Sequence, residues 1–201
     1  MKHDNAFRTV NSLLGDLPAP ERLQRLLEFA EQQACDIMRR SGRLTPVFFA
    51  ASATKLDAYV APPIRDMADV NELAAVARLI CATQHVTAAV LATEAWALES
   101  TDGLPLDPHS LPSQSPEHSE YVFLSGEAWG EIYQQKLLPI LRDKRQRFSC
   151  LGTTRVLPPE RIKGPLANLL PQDPISDEVR VFARSILAAK GYDRINLLSE
   201  E

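Results

Sequence analysis

The stretch Val86-Thr87-Ala88-Ala89-Val90-Leu91-Ala92-Thr93-Glu94-Ala95-Trp96-Ala97-Leu98 decides the fold. It is apolar at nearly every position through Leu91, which reads as a strand covered on both faces and therefore central in a sheet. Ala, Leu and Glu are also good helix formers, so a helical reading competes for the same residues. Its flanks carry clearer signals. Upstream, Asp69 and Glu72 have the spacing of a capping box. Leu73, Val76, Ala77 and Ile80 then recur at helical steps, so a helix is predicted from Asp69 to about Gln84. Before it, the apolar run Pro46–Ala50 and the alternating run Leu56–Val60 predict a hairpin closed by Pro62-Pro63.

Further out, Leu23, Leu26, Leu27, Ala30, Ala34, Ile37 and Met38 define one apolar face of a helix over Pro20–Arg40. Pro20 suits a first turn and Gly42 a C-terminal cap. Its apolar stripe is expected on the sheet, beside the helix that begins at Asp69. Ala6–Leu14 reads as a short extra helix.

Downstream of the central stretch, residues 101–119 hold Pro105, Pro108, Pro112 and Pro116. That density excludes a helix interior or a central strand and predicts a Pro/Ser-rich loop. Tyr121–Trp129 is the next strand. Residues 132–140 and 147–156 form a hairpin whose tip is Arg142-Asp143-Lys144-Arg145-Gln146. Residues 157–175, with Pro158, Pro159, Pro165 and Pro171, read as an extended arm over the surface. A last helix starts after Ser176 as N-cap, with Val179, Phe182, Ile186 and Ala189 as its inner face. These elements predict a single α+β domain over 1–201, with a mostly antiparallel sheet of five to six strands and three main helices.

Composition narrows the function classes. The 201 residues carry 22 Lys+Arg against 26 Asp+Glu, a net charge of -4, which argues against a dedicated nucleic-acid binder. No apolar run reaches the roughly 18 residues of a membrane span. Met1-Lys2-His3-Asp4-Asn5 is followed by no signal-peptide core, so a cytoplasmic location is expected. Cys35, Cys81 and Cys150 are widely spaced, form no CxxC motif, and suit a reducing compartment.

The two tryptophans lie in matching triplets, Glu94-Ala95-Trp96 and Glu127-Ala128-Trp129. Within a strand each Glu shares a face with its Trp. Glu94 and Glu127 are therefore the candidate acid/base or cation-binding pair, in a cleft walled by Trp96 and Trp129. Antiparallel neighbours, however, would carry the two carboxylates to opposite ends of the strand pair. No nucleotide-binding, zinc-protease, nucleophile-elbow or EF-hand motif is present. His109 and His118 with Glu117 or Glu120 give a weak zinc set, because metal ligands need better-fixed backbone. No cofactor and no metal is therefore implied.

Basic residues cluster at Arg39, Arg40 and Arg43, and again at Arg142, Lys144, Arg145 and Arg147. A basic hairpin suits a phosphate backbone, although Asp143 interrupts this one and no aromatic interleaves.

The run from Met38 to Phe49 (MRRSGRLTPVFF), Glu94-Ala95-Trp96, Ser115-Pro116-Glu117 and Leu138-Pro139-Ile140-Leu141-Arg142 resemble a family of small uncharacterised bacterial proteins, some of them associated with mobile elements. The resemblance implies no activity, cofactor or catalytic residue. The leading expectation is a non-enzymatic binding or assembly module that docks a protein partner or a second copy of itself. A small hydrolase-like or metal-dependent enzyme using Glu94 and Glu127 is the alternative. Weak nucleic-acid binding through the basic hairpin ranks third, and no membrane role is expected.

Overall fold

A computed structural model describes residues 17–53, 55–97, 119–130, 132–158, 165–171, 173 and 175–190. The proposed Ala6–Leu14 helix, loop residues 101–118, and His3, His109 and His118 lie outside them. The element order is α1 (Ala19–Ser41), β1 (Val47–Ala51), β2 (Leu56–Val60), α2 (Met67–Thr83), β3 (Ala88–Ala97), β4 (Ser119–Ala128), β5 (Ile132–Arg142), β6 (Phe148–Leu151), β7 (Arg155–Leu157) and α3 (Asp177–Ala189). The fold is α+β, and its sheet is antiparallel throughout.

The strand order is β2-β1-β3-β4-β5-β6, with β7 also pairing with β5. Among the described residues the sheet has seven strands, against the five to six expected, because 147–156 breaks into two short pieces. β6 takes Ile140–Arg142 of β5 and β7 takes Gln135–Leu137. The contested stretch is a strand: β3 pairs with β1 on one side and with β4 on the other. A segment whose two faces are both apolar gains more from ladder hydrogen bonds and burial between two layers than from helical propensity.

Those layers are α1 on one face and α2 with α3 on the other. Leu23, Leu27, Ala30 and Met38 of α1 pack on Phe49, Val90, Val122 and Leu138. Leu73, Ala77, Ile80 and Cys81 of α2 pack on Phe48, Ala50, Ala89 and Leu91. The expectation that α1 and α2 lie side by side is thus corrected. Because β1 and β3 alternate apolar side chains to both faces, each face needs its own helix. Phe48 and Phe49 split accordingly. Phe49 meets Phe29 of α1 edge-on at 5.6 Å, whereas Phe48 meets Tyr59 of β2 at 6.5 Å on the other side. Gly126 lets α1 approach β4 closely, since a Cβ there would stand 2.8 Å from Leu23 Cδ1.

α1 ends as predicted. Gly42, at φ +71°, returns its N–H to the Met38 carbonyl at 2.8 Å. α2 begins two residues earlier than expected. Its cap is Asp66, whose carboxylate accepts the Asp69 N–H at 3.0 Å, while Asp69 instead holds the backbone and guanidinium of Arg65. Ser176 caps α3 as predicted, but the inner face differs: Ala183 and Leu187 are buried, whereas Val179 and Phe182 are exposed. Arg184 reaches the Thr83 carbonyl and Lys190 pairs with Glu72 at 2.7 Å. These ties turn the polar flank of α3 toward α2 and the Val179–Phe182 flank outward.

The proline-rich arm is not merely draped over the surface. Arg78 of α2 donates to the carbonyls of Pro165, Ala167 and Asn168 at 2.6–3.1 Å, and Leu169 and Leu170 enter the second core.

Candidate functional site

The two candidate carboxylates do not converge. Glu94 lies opposite Val122 and Glu127 opposite Ala89, so they sit five residues apart along the β3–β4 pair. That is roughly 17 Å at the usual rise of a strand. They also face opposite layers, because Val122 belongs to the α1 core and Ala89 to the α2 core. No single substrate or cation meets both, which removes the paired-carboxylate chemistry and its shared cleft.

Each carboxylate instead binds backbone. Glu94 Oε1 accepts the Leu44 N–H at 2.6 Å and so fixes the chain leaving α1. Glu127, 6% exposed, accepts Leu169 N–H at 2.7 Å and Leu170 N–H at 3.1 Å, clamping the arm. Burial pushes the Glu127 carboxyl above its ordinary range, and the two N–H bonds and the Arg78 charge only partly offset this. The tryptophans separate likewise. Trp96 is opposite Glu120 in β4, whereas Trp129 follows β4 and donates from Nε1 to the Val86 carbonyl at 3.0 Å. Among the described residues no three His, Cys, Asp or Glu side chains are grouped to hold a metal ion.

The two basic clusters, in contrast, come together. Antiparallel pairing brings the end of β5 beside the start of β4, and both meet the C-terminus of α1. The resulting cleft has a volume of about 710 Å³ and includes Arg39, Arg43, Glu120, Arg142, Asp143 and Arg147 in its lining. Arg142 forms its floor. The side chain is 19% exposed, pairs with Glu120 at 2.6 Å and donates to the Gly42 carbonyl at 3.4 Å. The hairpin tip is built by Asp143, whose carboxylate accepts the N–H groups of Arg145 and Arg147 and pairs with the Arg147 guanidinium at 2.8 Å. Those Arg147 contacts hold the Asp143 carboxyl below its ordinary range. Gln146 takes φ +60° to close the turn.

Comparison with protein families, with curated proteins and with solved structures finds no match. The cleft therefore has to be read from its own chemistry. Among the described residues, seven cations (Arg39, Arg40, Arg43, Arg142, Lys144, Arg145, Arg147) gather at this end against Asp36, Glu94, Glu120 and Asp143. Those described residues carry a basic excess in a chain of net charge -4. Lys144 and Arg145 stand exposed on the tip, outside the cleft lining. Arg39, Arg43 and Glu120 are members that sequence reasoning left out of the site. The available signal was topological: a helix C-terminus and a hairpin tip placed at the same end of one sheet.

Proposed function

We propose that the chain is a binding module that receives an acidic segment of a protein partner in the arginine-lined cleft at the end of α1. The observation that carries this reading is the meeting of two basic clusters about 100 residues apart in sequence around one cleft. Arginine presents a planar fork of donors that matches carboxylates in pairs. Arg43 supplies such a fork at the rim, Arg39 and Arg147 add guanidinium N–H groups beside their pairings with Asp36 and Asp143, and Arg142 is committed to Glu120 and Gly42. Glu120 and Asp143 make the lining mixed. A mixed lining suits a peptide, which brings donors as well as acceptors, better than a phosphate backbone, whose regular negative charge these carboxylates repel. Trp96, 52% exposed and opposite Glu120, adds the kind of aromatic surface that anchors protein interfaces.

The test uses a fluorescein-labelled peptide rich in Asp and Glu, its Asn/Gln counterpart, and mixed-sequence duplex DNA. Anisotropy should saturate with the acidic peptide, weaken with added salt, and weaken about tenfold in the Arg43→Glu/Arg147→Glu variant. Equal binding of the Asn/Gln peptide, or tighter binding of DNA, overturns the reading.

A further inference from the structure

α3 carries its cations on the inside. Arg184 donates to the Thr83 carbonyl, and Lys190, at the C-cap, pairs with Glu72. Arg180 pairs with Asp177 and lines the cavity beside Ala82 at the end of α2. The outward side of the same helix holds Val181, Phe182, Ala188 and Ala189, all exposed, Phe182 by 66%. At 3.6 residues per turn these four lie around Ser185, with Glu178 beside them. A helix that faces only water gains from the reverse arrangement, with cations outward and apolar groups inward. Apolar side chains gathered on an outward face mark a surface that another molecule covers.

Size and charge both select a second copy of this chain as the occupant. The large groups of the face, Val181 and Phe182, lie in its N-terminal half, and the small ones, Ser185, Ala188 and Ala189, in its C-terminal half. Two α3 helices laid antiparallel about a two-fold axis set the large half of each against the small half of the other. A parallel pair sets large on large. In the register that places Phe182 opposite Ser185, Glu178 meets Ala189 and Asp177 meets Lys190. The charges agree with that direction. Among the described residues, Asp173, Asp177 and Glu178 stand near the first turn against Arg180, while Arg184 and Lys190 stand near the last turn against Glu72. Antiparallel pairing brings the acidic end of each helix to the basic end of the other, whereas parallel pairing stacks like ends.

We propose that the chain pairs with a second copy of itself through the outward face of α3, antiparallel about a two-fold axis. The 13 residues of α3 make a contact about 20 Å long. Such a helix pair buries on the order of 1,000 Å² in total, the low end of specific interfaces, so the dimer is reversible and depends on concentration. It is independent of the arginine-lined cleft, which lies on the α1 side of the sheet.

Sedimentation velocity of the full chain, from about 1 to about 300 µM at low salt, should show the mass rising from one chain toward two. Phe182→Glu changes an exposed position, so far-UV circular dichroism should stay unaltered while association weakens at least about tenfold. Glu178→Lys and Lys190→Glu each bring like charges together at both ends of the pair and should weaken it about fivefold. Mixed in equal amounts, these two variants should associate as tightly as the wild type, because each introduced charge then meets its opposite. That recovery also separates the interface from any cost of losing the Lys190–Glu72 pair within one chain. A wild type that stays monomeric at the highest concentration, or a dimer indifferent to Phe182→Glu, overturns the proposal. Charge variants that associate as the wild type does, or that fail to recover on mixing, overturn the antiparallel pairing on which it stands.

Discussion

At Glu127 a carboxylate leaves water and recovers two backbone N–H groups, those of Leu169 and Leu170. Desolvation outweighs that recovery, so the carboxyl is held above its ordinary value of 4.5. The folded chain therefore binds this proton more tightly than the unfolded chain does. Stability contributed by the protonated group is complete below the ordinary value and is lost as pH rises through the raised one. Urea midpoints followed upward from pH 4.5 should decline in the wild type relative to Glu127→Gln, which cannot titrate. A wild-type–variant difference that stays constant with pH removes the titration from this residue. Sequence could not separate Glu127 from Glu94, because the two share the triplet Glu-Ala-Trp. What distinguishes them is the arm that folds back over one and not the other. The arginines pose the opposite problem: their types were legible, but their meeting depends on strand pairing distant in sequence.

Among the elements, α1 was the most legible. Its apolar stripe is regular, Pro20 suits its first turn and Gly42 ends it, so local propensity, pattern and capping agree. Leu27 sits fully buried within that stripe, one turn from Leu23 and over the space that Gly126 leaves open. Leu27→Ala should cost about 2–5 kcal/mol, from lost transfer energy and from the cavity left where α1 approaches β4. Chemical denaturation measures it, and an unchanged midpoint would take α1 out of the core. α2 and α3 were less legible for specific reasons. Asp66 and Asp69 are three residues apart near the start of α2, and the capping-box spacing points to Asp69, whose carboxylate is taken up by Arg65 while Asp66 makes the cap. On α3 the stripe Val179, Phe182, Ile186 and Ala189 is a good apolar face. Periodicity reports such a face without saying what meets it. Ala183 and Leu187 face inward instead, alongside the anchoring contacts of Arg184 and Lys190.

For the molecule as a whole, the sheet is the shared wall of two separate cores. The signal for this was present: a central strand apolar on both faces must be covered on both, so the helices had to divide between them. The amphipathic pattern of each helix could not say which took which side. This architecture has a measurable consequence. Leu27 belongs to the α1 core and Ile80 to the α2 core, and the full thickness of the sheet lies between them. Substitutions that share no packing partner and lie more than about 7–10 Å apart add within about 0.3–0.5 kcal/mol. Ile80→Val should cost about 0.5–1.5 kcal/mol. Its cost should be the same, within that margin, in the wild type and in Leu27→Ala. A double-mutant cycle from urea unfolding, followed by far-UV circular dichroism and by tryptophan fluorescence, checks this. Trp96 and Trp129 report from the two layers, so coincident transitions by both probes mean that the shared sheet unfolds both cores together. A coupling well above the margin would mean that strain from the cavity at Leu27 crosses the sheet, and the two cores would then act as one packed unit.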